Sequence, residues 1–189
     1  LFPLLLRIPA WAAGATVQVN GLAAQPAKPG TFHRIERAWK AGDKVDIRFP
    51  MAPRTSQWFN GSVAVERGPL VFSLKIGEDW RKIKDYGPVA DFEVHPTTPW
   101  NYALAVKPGM KDVPAEVTEA PVGEYPFSPQ GAPVRMKVKA RRLPGWQMAN
   151  DSAAPPPMSP VTSSGADETV ELIPYGSAKL RITAFPWIE

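Results

Sequence analysis

Val134-Arg135-Met136-Lys137-Val138-Lys139-Ala140 alternates apolar and cationic side chains. Successive side chains of an extended chain point to opposite faces, so this stretch predicts a strand with one face buried and one in water. The same period recurs elsewhere. Thr16-Val17-Gln18-Val19-Asn20 alternates into Asn20-Gly21, a hairpin signal. Asp43-Lys44-Val45-Asp46-Ile47-Arg48-Phe49 alternates again, led in by Ala41-Gly42 and stopped by Pro50. Asn60-Gly61 opens Ser62-Val63-Ala64-Val65-Glu66-Arg67, and further strands are predicted at 70–76, 100–106, 169–173 and 179–185. The count is about ten strands. No apolar series at helical spacing survives three turns without Pro or Gly, so no helix is predicted. The expected class is all-β: an antiparallel, jelly-roll-like β-sandwich, since parallel crossovers would need helices.

The 189 residues suit one domain or two small ones. A boundary is expected near residues 53–62, around Pro53-Arg54-Thr55-Ser56-Gln57-Trp58-Phe59-Asn60-Gly61. Residues 1–55 would be part of one sandwich unit, incomplete because three or four strands do not close a sandwich. The chain is therefore expected to begin inside a larger domain. Residues 62–189 would form the C-terminal unit. It carries two proline-rich stretches without alternation, 107–133 and 143–168. They read as stiffened surface crossings or as functional arms.

Several classes of function are disfavoured. Lys plus Arg is 22 and Asp plus Glu is 18, a net charge of +4. The basic residues are scattered, so no nucleic-acid partner is expected. The apolar opening Leu1-Phe2-Pro3-Leu4-Leu5-Leu6 is too short to cross a membrane and no other segment is long enough, so no membrane partner is expected. The chain has no cysteine, which excludes disulfides, Cys-type zinc sites, iron–sulfur clusters and a thiol nucleophile. His33 and His95 stand outside any ligand pattern, and no phosphate-binding or nucleophile-elbow motif occurs. No cofactor, no metal and no catalytic residue is expected. Glu66, Asp79, Asp85, Asp91 and Glu93 are carboxylates of the type a glycosidase pairs, but no spacing selects two of them.

Aromatic residues give the better lead, because a flat apolar ring stacks on a sugar while nearby polar groups take its hydroxyls. Trp58, Trp80 and Trp100 lie in or beside predicted turns, and Trp100-Asn101-Tyr102 sets two rings on one strand face and an amide on the other. Trp58, Trp80, Trp100, Asn101 and Tyr102 are the carbohydrate-binding candidates. The competing reading makes these rings core plugs or interdomain contacts. Trp11 and Trp39 are expected in the core.

Leu6-Arg7-Ile8-Pro9-Ala10-Trp11, Val19-Asn20-Gly21, Gly30-Thr31-Phe32, Trp39-Lys40-Ala41-Gly42-Asp43-Lys44-Val45 and Phe49-Pro50-Met51, in this order, resemble the middle β-sandwich of glycoside hydrolase family 127. Val63-Ala64-Val65-Glu66-Arg67-Gly68-Pro69-Leu70-Val71-Phe72, Phe92-Glu93-Val94 and Pro99-Trp100-Asn101-Tyr102-Ala103-Leu104 resemble the C-terminal region that follows it. So do Pro155-Pro156-Pro157-Met158-Ser159-Pro160-Val161, Leu172-Ile173-Pro174-Tyr175-Gly176 and Leu180-Arg181-Ile182-Thr183. The family is known for β-L-arabinofuranosidases. The resemblance implies a catalytic (α/α)6 barrel N-terminal to these regions, carrying a glutamate and a zinc-bound cysteine nucleophile. No such position maps onto this chain. What it implies here is a non-catalytic β-sandwich accessory module that supports a catalytic barrel and contacts plant polysaccharide. Its partners would be carbohydrate, the catalytic domain of a glycoside hydrolase, or a second copy paired through an open strand edge. Following the family, it would be periplasmic or secreted. Two alternatives stand beside this: an independent carbohydrate-binding module using surface Trp residues, and a stand-alone glycosidase using a carboxylate pair.

Overall fold

The alternation at residues 134–140 becomes an interior strand of the larger sheet. Met136, Val138 and Ala140 are fully buried, while Lys137 and Lys139 face out. The computed structural model describes residues 1–189. All of its ladders are antiparallel and it contains no α-helix, so the chain is all-β, with the antiparallel sheets of a β-sandwich. Two compact units form, Leu1–Ala52 and Pro53–Glu189.

In the first unit, β1 (Phe2–Arg7) and β4 (Phe32–Arg37) form a two-stranded sheet. β2 (Thr16–Val19) pairs on one side with β3 (Gln25–Pro26) and on the other with β5 (Val45–Arg48). Asn20 and Gly21 make the turn after β2 with φ of 52° and 70°. Positive φ at both central residues matches the right-handed twist of a hairpin and explains the Asn-Gly pair. The Asn20 side chain then braces the loop before β5: its amide donates to Asp43 and its carbonyl accepts from the Lys44 N–H. The Lys40 N–H and the Asn20 amide hold the Asp43 carboxyl below its ordinary range. The core is small: Ile8, Ala12, Ala15, Val17 and Ala27, with Trp11 edge-on to Phe49 beside it. Trp39 is not in this core. It is half-exposed, beside the Phe2 ring and under the Arg37 guanidinium, and its indole N–H donates to the Phe2 carbonyl.

The second unit is built on a seven-stranded sheet. β6 (Pro53–Gln57), β7 (Val63–Arg67) and β8 (Leu70–Leu74) form an up-and-down meander. A separate hairpin follows, β9 (Glu78–Asp85) with β10 (Ala90–Pro96). β11 (Tyr102–Leu104) and β12 (Glu116–Glu119) lie end to end along one edge of β13 (Val134–Arg142). A small hairpin of β14 (Met148–Ala149) and β15 (Ser152–Ala153) precedes β16 (Asp167–Pro174), which joins β13 to β8. The stretch 53–61 is thus a strand and a turn of this unit, because Pro53–Gln57 pairs residue by residue with Val63–Arg67.

Several expectations change. Residues 107–133 are not wholly irregular: β12 lies within them, and Arg135 pins the rest by donating to the carbonyls of Pro129 and Gln130. A Cβ on Gly131 would lie 2.0 Å from the Tyr125 carbonyl oxygen, so this tight fold of the crossing requires glycine. Residues 179–185 do not form a strand. They run between the unpaired ends of β7 and β8 and meet them at single points, with Phe185 and Val63 exchanging both backbone bonds at 2.8 Å and Leu74 donating to the Ile182 carbonyl. Phe185 and Ile182 thereby cover Val63, Phe72, Leu74 and Leu172 in the main core.

Across the sheet, Glu171 on β16 accepts from Lys75 at 2.9 Å and Arg135 at 2.6 Å. Partial burial pushes its carboxyl up, but the hydrogen bonds from Arg135 and Lys75 outweigh this and leave it below the ordinary range. A lowered carboxyl contributes stability above its unfolded-state pKa, and that stability is lost as acid protonates it. We expect Glu171→Gln to flatten the acid limb of the stability curve below about pH 4.5, with little change in slope near neutrality. Denaturant midpoints between pH 3 and 7 measure this; wild-type and variant curves that stay parallel would contradict it.

Candidate functional site

The five aromatic and amide candidates fall at three places in the second unit. Trp58 stands at the head of a short 3₁₀ turn and is 61% exposed. Its indole N–H donates to Ser56 Oγ at 2.8 Å, Ser56 donates to Glu66, and Arg54 pairs with the same carboxylate. Arg54 and Glu66 are opposed in the β6–β7 register, which explains their pairing. Trp58 and Tyr175 flank an apolar groove of 560 Å³ with Leu70, Val71 and Pro174 along it. Arg181 stacks its guanidinium 4.4 Å from the Tyr175 ring centre.

Trp80 is half-exposed on β9 and lies edge-on to Phe92 of β10, with ring centres 5.9 Å apart. Three carboxylates of this hairpin are taken up locally: Asp79 with Arg81, Asp85 with Lys82 and the Gly87 N–H, Asp91 with the Tyr86 hydroxyl.

Trp100, Asn101 and Tyr102 sit together but are drawn inward. Trp100 packs edge-on against buried Trp146, with ring centres 5.2 Å apart. Asn101 Nδ2 donates to the Trp146 carbonyl at 3.0 Å. Tyr102 is 6% exposed, and its hydroxyl donates to Glu168 at 2.9 Å. Burial, reinforced by the Glu168 carboxylate, pushes the Tyr102 hydroxyl above its ordinary pKa. This leaves Trp100 as the member of the trio that reaches a cavity.

That cavity is a cleft of 540 Å³. β10 supplies Glu93 and His95, the β14–β15 hairpin supplies Asp151, and residues 180–182 close the third side. His95 Nε2 lies 3.0 Å from Glu93 Oε2. Trp100 forms part of the wall. Composition alone could not have drawn Glu93, His95 and Asp151 to Trp100, since they stand on separate segments. No three His, Asp or Glu side chains gather as a metal site would require.

Comparison with known proteins adds the following. Residues 1–51 match the family model described as the β-L-arabinofuranosidase GH127 middle domain. No curated protein matches the chain. Among solved structures, a glycoside hydrolase superposes on the whole chain with a TM-score of 0.57 and 23% identity. A GH127 β-L-arabinofuranosidase, Ara127N of Geobacillus stearothermophilus T6, superposes on the whole chain with a TM-score of 0.54 and 23% identity. The chain spans 28% and 26% of the lengths of these two structures. The likeness to the β-sandwich region of glycoside hydrolase family 127 is therefore shown, by the middle-domain model over residues 1–51 and by the shared fold over the whole chain.

Proposed function

We propose that this chain is a non-catalytic accessory module of a family-127-like glycoside hydrolase, and that it supports a catalytic barrel. The match of residues 1–51 to a GH127 middle domain is the observation that carries this reading. The groove at Trp58 supports it further. Leu70, Val71 and Tyr175 are large apolar side chains left in solvent beside Trp58, and an apolar patch of this kind marks an interaction surface. The hydrogen-bonded series Arg54–Glu66–Ser56–Trp58 fixes the indole before any partner arrives, which lowers the entropy cost of docking.

Two measurements test the reading. The purified chain is expected to release no nitrophenol from p-nitrophenyl β-L-arabinofuranoside; turnover by the chain alone would overturn the non-catalytic role. Mixed with a separately produced catalytic barrel of a GH127 β-L-arabinofuranosidase, it is expected to co-elute as one complex in size-exclusion chromatography. Leu70→Asp places a charge in the groove and is expected to weaken that complex at least tenfold. Separate elution of the wild-type pair would refute the supporting role.

A further inference from the structure

We propose that the cleft beside Trp100 binds a neutral saccharide. A sugar ring presents an apolar C–H face and a rim of hydroxyls, so its site needs a flat apolar wall with acceptors and donors around it. Trp100 supplies the wall, and Ile76 and Ile182 also line the cleft; Glu93, His95 and Asp151 supply the polar groups. Trp146, packed edge-on, holds the Trp100 ring in place, so the wall does not have to be ordered by the ligand. The short distance between His95 Nε2 and Glu93 fixes both side chains toward each other. The turn at Asn150 and Asp151, with φ of 52° and 57°, places the Asp151 carboxylate on the opposing hairpin. The cleft volume of 540 Å³ falls within the range of small-ligand sites, about 300–1,000 Å³.

Charge selects the class of sugar. Arg181 also borders the cleft, but its guanidinium lies over the Tyr175 ring and its Nε donates to the carbonyls of Tyr175 and Ala178. Against this one guanidinium the cleft sets two carboxylates, Glu93 and Asp151. They accept from hydroxyls and repel a uronate. The groove at Trp58 is bordered by apolar side chains and offers no such pair, so the two surfaces suit different partners.

This inference goes beyond the supporting role, and a separate assay reads it. Isothermal titration of the 189-residue chain with neutral arabino-oligosaccharides, xylo-oligosaccharides and, as the acidic control, digalacturonate is expected to show binding to a neutral series and none to digalacturonate. Glu93 has a 57% exposed side chain, so Glu93→Ala is expected to keep the wild-type unfolding midpoint while weakening binding about tenfold or more. Trp58→Ala is expected to leave binding unchanged. The inference is overturned if no neutral oligosaccharide binds at millimolar concentration, if digalacturonate binds as well as the neutral series, or if Trp58→Ala removes binding while Glu93→Ala does not. None of these outcomes bears on barrel docking, which is read by co-elution and through Leu70.

Discussion

Phe185→Ala is expected to cost about 3–5 kcal/mol of unfolding free energy. The ring is wholly buried among the largest core side chains, and it sits on a segment with no ladder of its own. The segment is held to the sheet by the reciprocal backbone bonds of Phe185 with Val63 and by Ile182 at Leu74. Removing the ring leaves a cavity against Val63 and Phe72, which β-sheet backbone cannot close by sliding. A domain of ordinary stability has about 5–15 kcal/mol in total, so a third or more of it would be lost. Guanidinium unfolding followed by tryptophan fluorescence measures the change. A loss below about 1 kcal/mol, the size of an ordinary surface substitution, would mean that residues 179–185 do not cover the core.

Trp146→Ala carries the second large effect, again about 3–5 kcal/mol. Trp146 is 3% exposed. Its indole N–H donates to the Ala154 carbonyl at 2.8 Å, its own carbonyl accepts from Asn101, and its ring meets Trp100. It therefore adds to the Leu143–Asn101 backbone bond in tying residues 143–154 to the start of β11. Trp146→Phe keeps most of the ring volume and loses the indole bond, so it is expected to cost less than Trp146→Ala, about 1–2 kcal/mol. Equal losses in the two variants would show that the hydrogen bond, not the packing, governs the site. Under the saccharide proposal Trp146→Phe also weakens sugar binding, because the Trp100 wall loses part of its support.

The carboxylate at position 66 shows how far sequence reading reached. Beside Arg67 in sequence, it reads as a partner for that residue or as a solvent-facing charge. Adjacent residues of a strand point to opposite faces, so Glu66 instead meets Arg54 across the β6–β7 ladder, and Arg67 meets Glu119. The β9–β10 hairpin is not legible in the sequence for a related reason. Its residues 80–86 are exposed on both faces, so no alternation in hydrophobicity marks it; only the register with β10 makes it a strand.

By itself the sequence determined the all-β class, the hairpin at Asn20-Gly21 and the two-faced strand at 134–140. Each follows from the period of side-chain direction or from the φ that a turn demands, and both are local properties. Tertiary structure alone decided which rings stay in solvent. Trp100-Asn101-Tyr102 is a single tripeptide, yet Tyr102 is buried against Glu168, Asn101 is spent on Trp146, and Trp100 reaches a cleft whose polar groups come from β10 and the β14–β15 hairpin. Those neighbours are set by strand order and by loops crossing the sheet, contacts between residues far apart in the chain, which no local pattern encodes.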